Sequence, residues 1–371
     1  MEKKYRAMEK LEMNRAFWKN KDVLITGHTG FKGIWLSLIC NKFGAKVIGV
    51  SKDYNNKIFY KKISNLNFKN YIFDIRNKEK IAKVLNSHKP DFIFHLAAQA
   101  LVFESYSDPY ETFHNNFISS LNILEVCRKI NFKTNFIFIT SDKSYENIEK
   151  KAGYKENDKI GGNDPYSGSK SSIEMLINSY QKSFFNSNYS KVRLAIARAG
   201  NVIGGGDLSD NRIIPDAFKC WSKNNKLLIR NPYSSRPWQF VLEPLFGYIF
   251  LAKNLDSKKY IGEVFNFGPK FKKHISTLSL IDKLNTYSIE FTKKNSYFFK
   301  KVKKNNFKES TLLQLDSSKA NIKLNWQCVL SIDKTLMYCA EWYINYYTKK
   351  IDLLTFSIKQ IDNYINEFKK S

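Results

Sequence analysis

The segment Gly27-His28-Thr29-Gly30-Phe31-Lys32-Gly33 limits the possible folds of this chain more than any other. It follows the apolar run Val23-Leu24-Ile25 and opens a stretch of helical length, Gly33 to Phe43. Glycine at its first, fourth and seventh positions removes the side chains that would keep a strand from turning sharply into a helix. The free NH groups at that helix start then point at whatever lies beyond the strand, an arrangement suited to phosphate oxygens. Such a glycine pattern alone is weak, but between a strand and a helix it predicts a dinucleotide site built from Gly27, Thr29, Gly30, Phe31, Lys32 and Gly33.

Further apolar runs succeed the first: Lys46-Val47-Ile48-Gly49-Val50, Tyr71-Ile72-Phe73, Phe92-Ile93-Phe94-His95-Leu96, Asn135 to Thr140 and Val192 to Ala197. Segments of helical length separate them, including Lys78 to Leu85, Pro109 to Lys129 and Pro165 to Lys182. Continuous apolar strands alternating with helices predict an α/β fold, a doubly wound parallel sheet covered on both faces. We expect an N-terminal extension over residues 1–20, a nucleotide-binding domain over 21–200, and a smaller substrate-binding lobe with C-terminal helices over 201–371. Apolar residues at helical spacing, among them Leu336, Cys339, Trp342, Tyr343, Ile361, Tyr364 and Ile365, predict two packing helices in the tail.

Asp53, near the end of the second strand, is placed to accept from adenosine ribose hydroxyls, which favours NAD over NADP; neighbouring Lys52 pulls the other way. Asp74 and Ile75, after the third strand, are expected to bracket the adenine. Leu96, Ala97, Ala98 and Gln99, after the fourth, supply a surface against which a cofactor would lie.

The formal charge of +27 invites a nucleic-acid reading. Its distribution argues against one, because lysine is spread along the chain and interleaved with asparagine, as in Lys301-Val302-Lys303-Lys304-Asn305-Asn306. A solvated lysine surface is the expectation, one that still attracts anionic substrates. No apolar run reaches the ~18 residues of a membrane span, and the first residues lack a signal-like apolar segment, so a cytoplasmic protein is expected. The five cysteines form no CxxC pair and no metal-ligand spacing, and we expect no metal site.

Ser141-Asp142-Lys143 closes the fifth apolar run, and Tyr166 and Lys170 follow four residues apart on an expected helix. One helical turn brings tyrosine and lysine to a common site, where an ammonium favours phenolate and makes a usable base. An acid beside a second titratable group adds the means for an elimination. That use requires Asp142 to stay protonated and Lys143 to be neutral, through desolvation or a nearby cation such as Lys170. A plain strand-end Asp/Lys pair capping the following loop is the structural alternative.

With these motifs in place the chain resembles the extended short-chain dehydrogenase/reductase superfamily, and within it the CDP-glucose 4,6-dehydratases. The likeness runs from about Phe17 to Trp326 and rests on GHTGFKG (27 to 33), HLAAQ (95 to 99), TSDKSYEN (140 to 147), GGNDPYSGSK (161 to 170), RAGNVIGGGD (198 to 207), RIIPD (212 to 216) and NPYSSRPWQ (231 to 239). It implies a Rossmann-type fold, NAD as a catalytic cofactor, a nucleotide-sugar substrate and a homodimer. It further implies that Tyr166 takes the proton from the sugar 4-hydroxyl, Ser141 hydrogen-bonds the forming carbonyl, and Lys170 holds tyrosine and nicotinamide ribose. Lys143 would be the base at C5 and Asp142 the acid at the 6-hydroxyl. Asn116 matches an asparagine that organises water or a backbone bend near the lysine, and Asn201, Arg212 and Arg236 match diphosphate-binding positions. Three residues depart from the family pattern on the expected substrate side: Phe103 for arginine, Leu208 for tryptophan and Phe240 for histidine. An epimerase or decarboxylase on the same fold, or a non-catalytic RNA-binding protein, are the competing readings.

Overall fold

The computed structural model describes residues 15–54, 57–63, 66, 68–187, 189–269, 275–292, 299–301, 312–349 and 351–370. Seven parallel strands form the central sheet. They are β1 (Asp22–Thr26), β2 (Lys46–Ser51), β3 (Phe68–Ile72), β4 (Phe92–His95), β5 (Thr134–Ile139), β6 (Val192–Ala199) and β7 (Val264–Phe267), in spatial order β7-β6-β5-β4-β1-β2-β3. The order reverses at β1, which pairs with β2 on one side and β4 on the other. The crevice beyond the carboxyl ends of β1 and β4 is where a doubly wound sheet holds a ligand.

Side chains alternate across the sheet with period two and enter two cores. Val23, Ile25, Ile137 and Ile139 point to one face, and Leu24, Phe136 and Phe138 to the other. The first face is covered by α1 (Phe31–Lys42) and by helices from the second half of the chain. The second face is covered by α2 (Lys78–His88), by α3 (Pro109–Phe113, His114–Ile118 and Ser119–Arg128) and by α4 (Pro165–Tyr180). The middle segment of α3, His114–Ile118, is a π-helical turn.

Two local choices fix the start of α4. Pro165 occupies its first turn, and the Asp164 carboxylate accepts from the Ser167 amide at 2.9 Å and from its hydroxyl at 2.6 Å. Tyr166 is thereby anchored in the first turn, facing the crevice.

The sheet does not respect the expected boundary at residue 200. Strand β7, which the apolar pattern did not reveal, follows α5 (Leu242–Asp256) and completes the sheet beside β6. Residues 1–14 of the expected extension lie outside the described residues, but Trp18 is fully buried, its ring 4.5 Å from that of Phe92. The chain therefore joins the core before residue 20. The two tail helices are α6 (Ile332–Thr348) and α7 (Leu353–Lys370), and Trp342 packs so closely on Gly205 that a Cβ there would meet its ring at 2.0 Å. The C-terminal helices thus buttress the loop carrying Gly204 to Leu208. No helix among the described residues is long and apolar enough to cross a membrane.

Candidate active site

A cavity of about 1300 Å³ opens over the β1/β4 reversal and runs under the second-half loops. At one end lies the glycine turn. Gly27 has φ +75°, and a Cβ on it would stand 2.9 Å from the Ala97 amide nitrogen; one on Gly33 would stand 2.0 Å from the Gly27 carbonyl oxygen. Only glycine allows this close approach of turn, helix and the β4 end. The Thr29 amide donates to Ser51 Oγ at 3.2 Å and its hydroxyl to the Asp53 carbonyl at 2.7 Å, tying the turn to the segment that presents Asp53 at the cavity edge.

Asp74 also lines this end, already gripped by Arg76 through Nε at 3.0 and 3.1 Å and Nη2 at 2.6 Å. Those bonds and the nearby Lys52 hold its carboxyl below the ordinary range against the opposing effect of burial. Ile75 and Leu96 to Gln99 complete the walls.

At the other end β5 stops at a short 3₁₀ turn, Asp142–Ser144, capped by Ser141, whose hydroxyl accepts from the Lys143 amide at 3.2 Å. That hydroxyl donates to Asp142 Oδ1 at 2.9 Å, and Asn201 Nδ2 approaches Oδ2 at 3.4 Å. The Asp142 carboxylate is buried tightly against Gly200, where a Cβ would lie 1.9 Å from Oδ2. Among the described residues no ion pair joins Asp142 to Lys143; Lys143 points separately into the cavity, half-buried. The simple Asp/Lys cap is therefore not what forms.

Tyr166 is buried and hydrogen-bonded to Ser141. Burial pushes its phenol up to about 12, with the Ser141 bond and the Arg212 charge opposing and Asp142 adding. Lysine proximity was expected to lower this phenol, but Lys170 Nζ lies over the ring, 5.7 Å from its centre, and burial sets the direction of the shift. Lys170 itself is pushed down to about 8 by burial and by the charge of Lys32, with Glu174 opposing. Lys32 is likewise pushed down to about 8 by burial and by Arg212, with Asp142 opposing. The cationic neighbour of Lys170 is thus Lys32, from the glycine turn, a role outside the sequence expectation.

Beneath these groups is a buried ion pair that the motifs did not expose. Glu174, one turn past Lys170 on α4, accepts from Arg198 Nε at 2.9 Å on both oxygens and from Thr140 Oγ1 at 2.6 Å. It anchors the end of β5 and the start of the turn carrying Asp142 and Lys143 to the helix carrying Tyr166 and Lys170. The hint in sequence was the four-residue spacing from Lys170.

Every expected site residue lines the cavity except Asn116. Asn116 stands behind the wall, fully buried in the π-helical turn, where its amide donates to the Gln99 carbonyl at 3.1 Å and to Ser169 Oγ at 3.0 Å and accepts from the Gln99 amide at 2.7 Å. It positions the β4 loop and α4 rather than meeting a ligand. Phe240 also differs from expectation: it is fully buried, edge-on to Trp35 and Tyr338, so its departure from histidine is absorbed by the core. Phe103 and Leu208 do line the cavity.

A glycine turn at the strand-order reversal, with serine on one strand end and tyrosine and lysine on the facing helix, defines an extended short-chain dehydrogenase/reductase. Comparison with known proteins narrows the class. A family model described as GDP-mannose 4,6 dehydratase matches residues 24–338. A CDP-glucose 4,6-dehydratase of Salmonella typhimurium is 39% identical over 361 residues, covering 95% of this chain and 99% of the relative. A dTDP-D-glucose 4,6-dehydratase of Dictyostelium discoideum is 29% identical over 283 residues, covering 72% of this chain and 62% of the relative. Among solved structures, dTDP-glucose 4,6-dehydratase from Bacillus anthracis in complex with NAD superposes with a TM-score of 0.73 at 18% identity, covering 90% of this chain and 99% of that one. The UDP-glucose 4-epimerase from Thermotoga maritima does so with a TM-score of 0.74 at 23% identity, covering 88% and 99%. At those identities the structures attest the fold alone. The chain belongs to the GDP-mannose 4,6-dehydratase family.

Proposed function

We propose that this chain is a hydro-lyase, an NAD-dependent CDP-glucose 4,6-dehydratase that converts CDP-glucose to CDP-4-keto-6-deoxyglucose and water. The observation that carries this is the single short turn presenting Asp142 and Lys143 as separate groups beside Ser141 and Tyr166. Simple oxidation or epimerisation needs the serine, tyrosine and lysine but has no use for the other two.

The glycine turn fits NAD, since only without side chains at Gly27 and Gly33 can the turn close on the helix start whose free NH groups would meet its pyrophosphate. Asp53 at the cavity edge suits free ribose hydroxyls and would repel a 2′-phosphate. NAD, when bound, supplies the hydride acceptor for sugar C4 and afterwards the hydride donor for C6. Tyr166 takes the 4-hydroxyl proton, while the Ser141 hydroxyl turns from Asp142 to donate to the oxygen as it becomes a carbonyl. Because the phenol lies near 12, the cations Lys170 and Arg212 must act on it once water is displaced. The C4 ketone acidifies the C5 proton, which Lys143 removes and later returns to C5 as C6 takes up its hydride. Asp142 gives a proton to the departing 6-hydroxyl, leaving as water. Arg212 and Arg236 bind the diphosphate as guanidinium forks, with Asn201 beside them.

We also propose a homodimer: α3 and α4 with its π-helical continuation expose Tyr110, Phe113, Met175 and Phe184, apolar surface a second copy would cover. All five cysteines are free, which suits a cytoplasmic enzyme.

Incubation with NAD and CDP-glucose, and separately with UDP-, dTDP- and GDP-hexoses, tests the reading by mass. Loss of water with migration of a C4 deuterium to C6 is expected. An isobaric product would replace dehydration with epimerisation.

A further inference from the structure

The cavity continues past the reacting groups. Beyond Arg212 it follows the helix Ile213–Trp221 and the strand Leu227–Ile229, lined there by Asp216, Leu228, Ile229, Arg230 and Asn231. The Asp216 amide donates to the Arg212 carbonyl at 2.9 Å, one helical turn along, so the two side chains leave the same helix face. Arg230, just after the strand, sets its positive charge against the Asp216 carboxylate. The nearby Asp210 is engaged elsewhere, with Lys219 at 2.5 Å. Asp216 is half-buried, and burial raises its pKa while Arg230 opposes that rise. The outer arm thus carries Asp216 and Arg230 on walls that also hold Pro215, Leu228, Ile229 and the amides of Asn211 and Asn231, with Asp210 already taken by Lys219.

The order of groups along the cavity sets what reaches this arm. Ser141 and Tyr166 fix the hexose, and Arg212 and Arg236 fix the diphosphate, so the nucleoside lies next, toward Asp216 and Arg230. We propose that Asp216 and Arg230 read the nucleobase, the carboxylate accepting from the exocyclic amine of cytosine and the guanidinium donating to its ring nitrogen and carbonyl oxygen. This rests on the CDP-sugar reading above. Cytosine offers one donor, its amine, followed by two acceptors, its ring nitrogen and carbonyl oxygen, and an acid accepting from the amine is the matching contact. Uracil and thymine place a carbonyl oxygen where cytosine has its amine, so the carboxylate would face a second acceptor with no proton between them. Guanine also carries an amine, and its larger ring system makes GDP a necessary arm of the test.

The test measures binding of CDP, UDP and GDP to the NAD-loaded protein by calorimetry, beside kcat/KM for CDP-glucose. The unaltered protein should prefer CDP to both. Asp216→Asn should weaken CDP by roughly ten- to a hundredfold and leave UDP as it was, collapsing the ratio between them. Arg230→Gln, monitored for intact melting behaviour, should weaken CDP in the same direction. Equal losses of CDP and UDP in both variants would overturn the proposal, leaving the two residues a purely structural role. So would an Asp216-dependent preference for GDP. If CDP-glucose is not dehydrated yet the Asp216-dependent preference for CDP persists, base recognition stands and the assigned reaction falls. If CDP-glucose is dehydrated and Asp216→Asn leaves the CDP/UDP ratio unchanged, the reaction stands and base recognition falls.

Discussion

The two ends of the cavity are built in opposite ways. At the Gly27 to Gly33 end the shape comes from missing atoms, with backbone packed against backbone. At the Ser141 to Lys170 end it comes from ionisable groups set close together: Lys32, Asp142, Lys170 and Arg212 around a buried phenol. A wall made of backbone responds to substitution by losing its ligand outright. A set of coupled charges responds step by step, and with pH.

The sharpest way to break the comparison is Asp142→Asn. The amide keeps the shape of the carboxylate against Gly200 and can still accept from Ser141, so the fold should be unaffected. Without a transferable proton the elimination should slow by roughly 10²- to 10⁴-fold, the range for loss of a general acid. Oxidation at C4 should remain measurable as reduced cofactor in a single turnover. Equal losses of both steps would remove Asp142 from the role of acid.

Gly33→Ala tests the other end. Its added methyl meets the Gly27 carbonyl oxygen at 2.0 Å and His28 Cα at 2.7 Å, backbone atoms with no flexible tip to swing aside. NAD affinity should fall on the order of a hundredfold, with little change in pH dependence of what activity persists. Titration of NAD by fluorescence decides it, and unaltered affinity would mean the turn relaxes freely.

This contrast also explains what the sequence disclosed. The glycine turn and the Tyr166/Lys170 spacing are local, so a few adjacent residues announced them, and six of the seven strands followed from apolar runs. Strand β3 lies at the sheet edge with Lys69 and Asn70 exposed, which is why its apolar run marked only the end of it. Strand β7 is four residues long and returns to the sheet after a whole lobe, leaving too little pattern to find. Phe240 was misplaced because its neighbours Trp35 and Tyr338 are remote in sequence, and a strand in which both Gln239 and Phe240 are buried has no alternation to read. The influence of Lys32 on Lys170 was hidden for the same reason: it joins the glycine turn to α4 across more than a hundred positions.

That last coupling gives the finest test of the comparison, because Lys32 belongs to one end by sequence and to the other by charge. Lys170 titrates near 8, an ammonium below that pH and an amine above it. If its positive charge supports the Tyr166 phenolate, the rate has an alkaline limb that declines as pH rises through about 8. Lys32→Met removes a repelling cation, so the Lys170 pKa rises and the alkaline limb should move upward by about half a unit to one unit. A loss of activity with an unmoved limb would mean that Lys32 serves NAD alone. Stability offers a check that needs no turnover. Both lysines have folded pKa values below the ~10.4 of an exposed lysine, so between about 8 and that value the unfolded chain binds more protons and stability rises with pH. Lys32→Met deletes its own contribution and raises the Lys170 pKa toward the unfolded value, so the alkaline rise in melting temperature should flatten in the same experiment that shifts the rate limb.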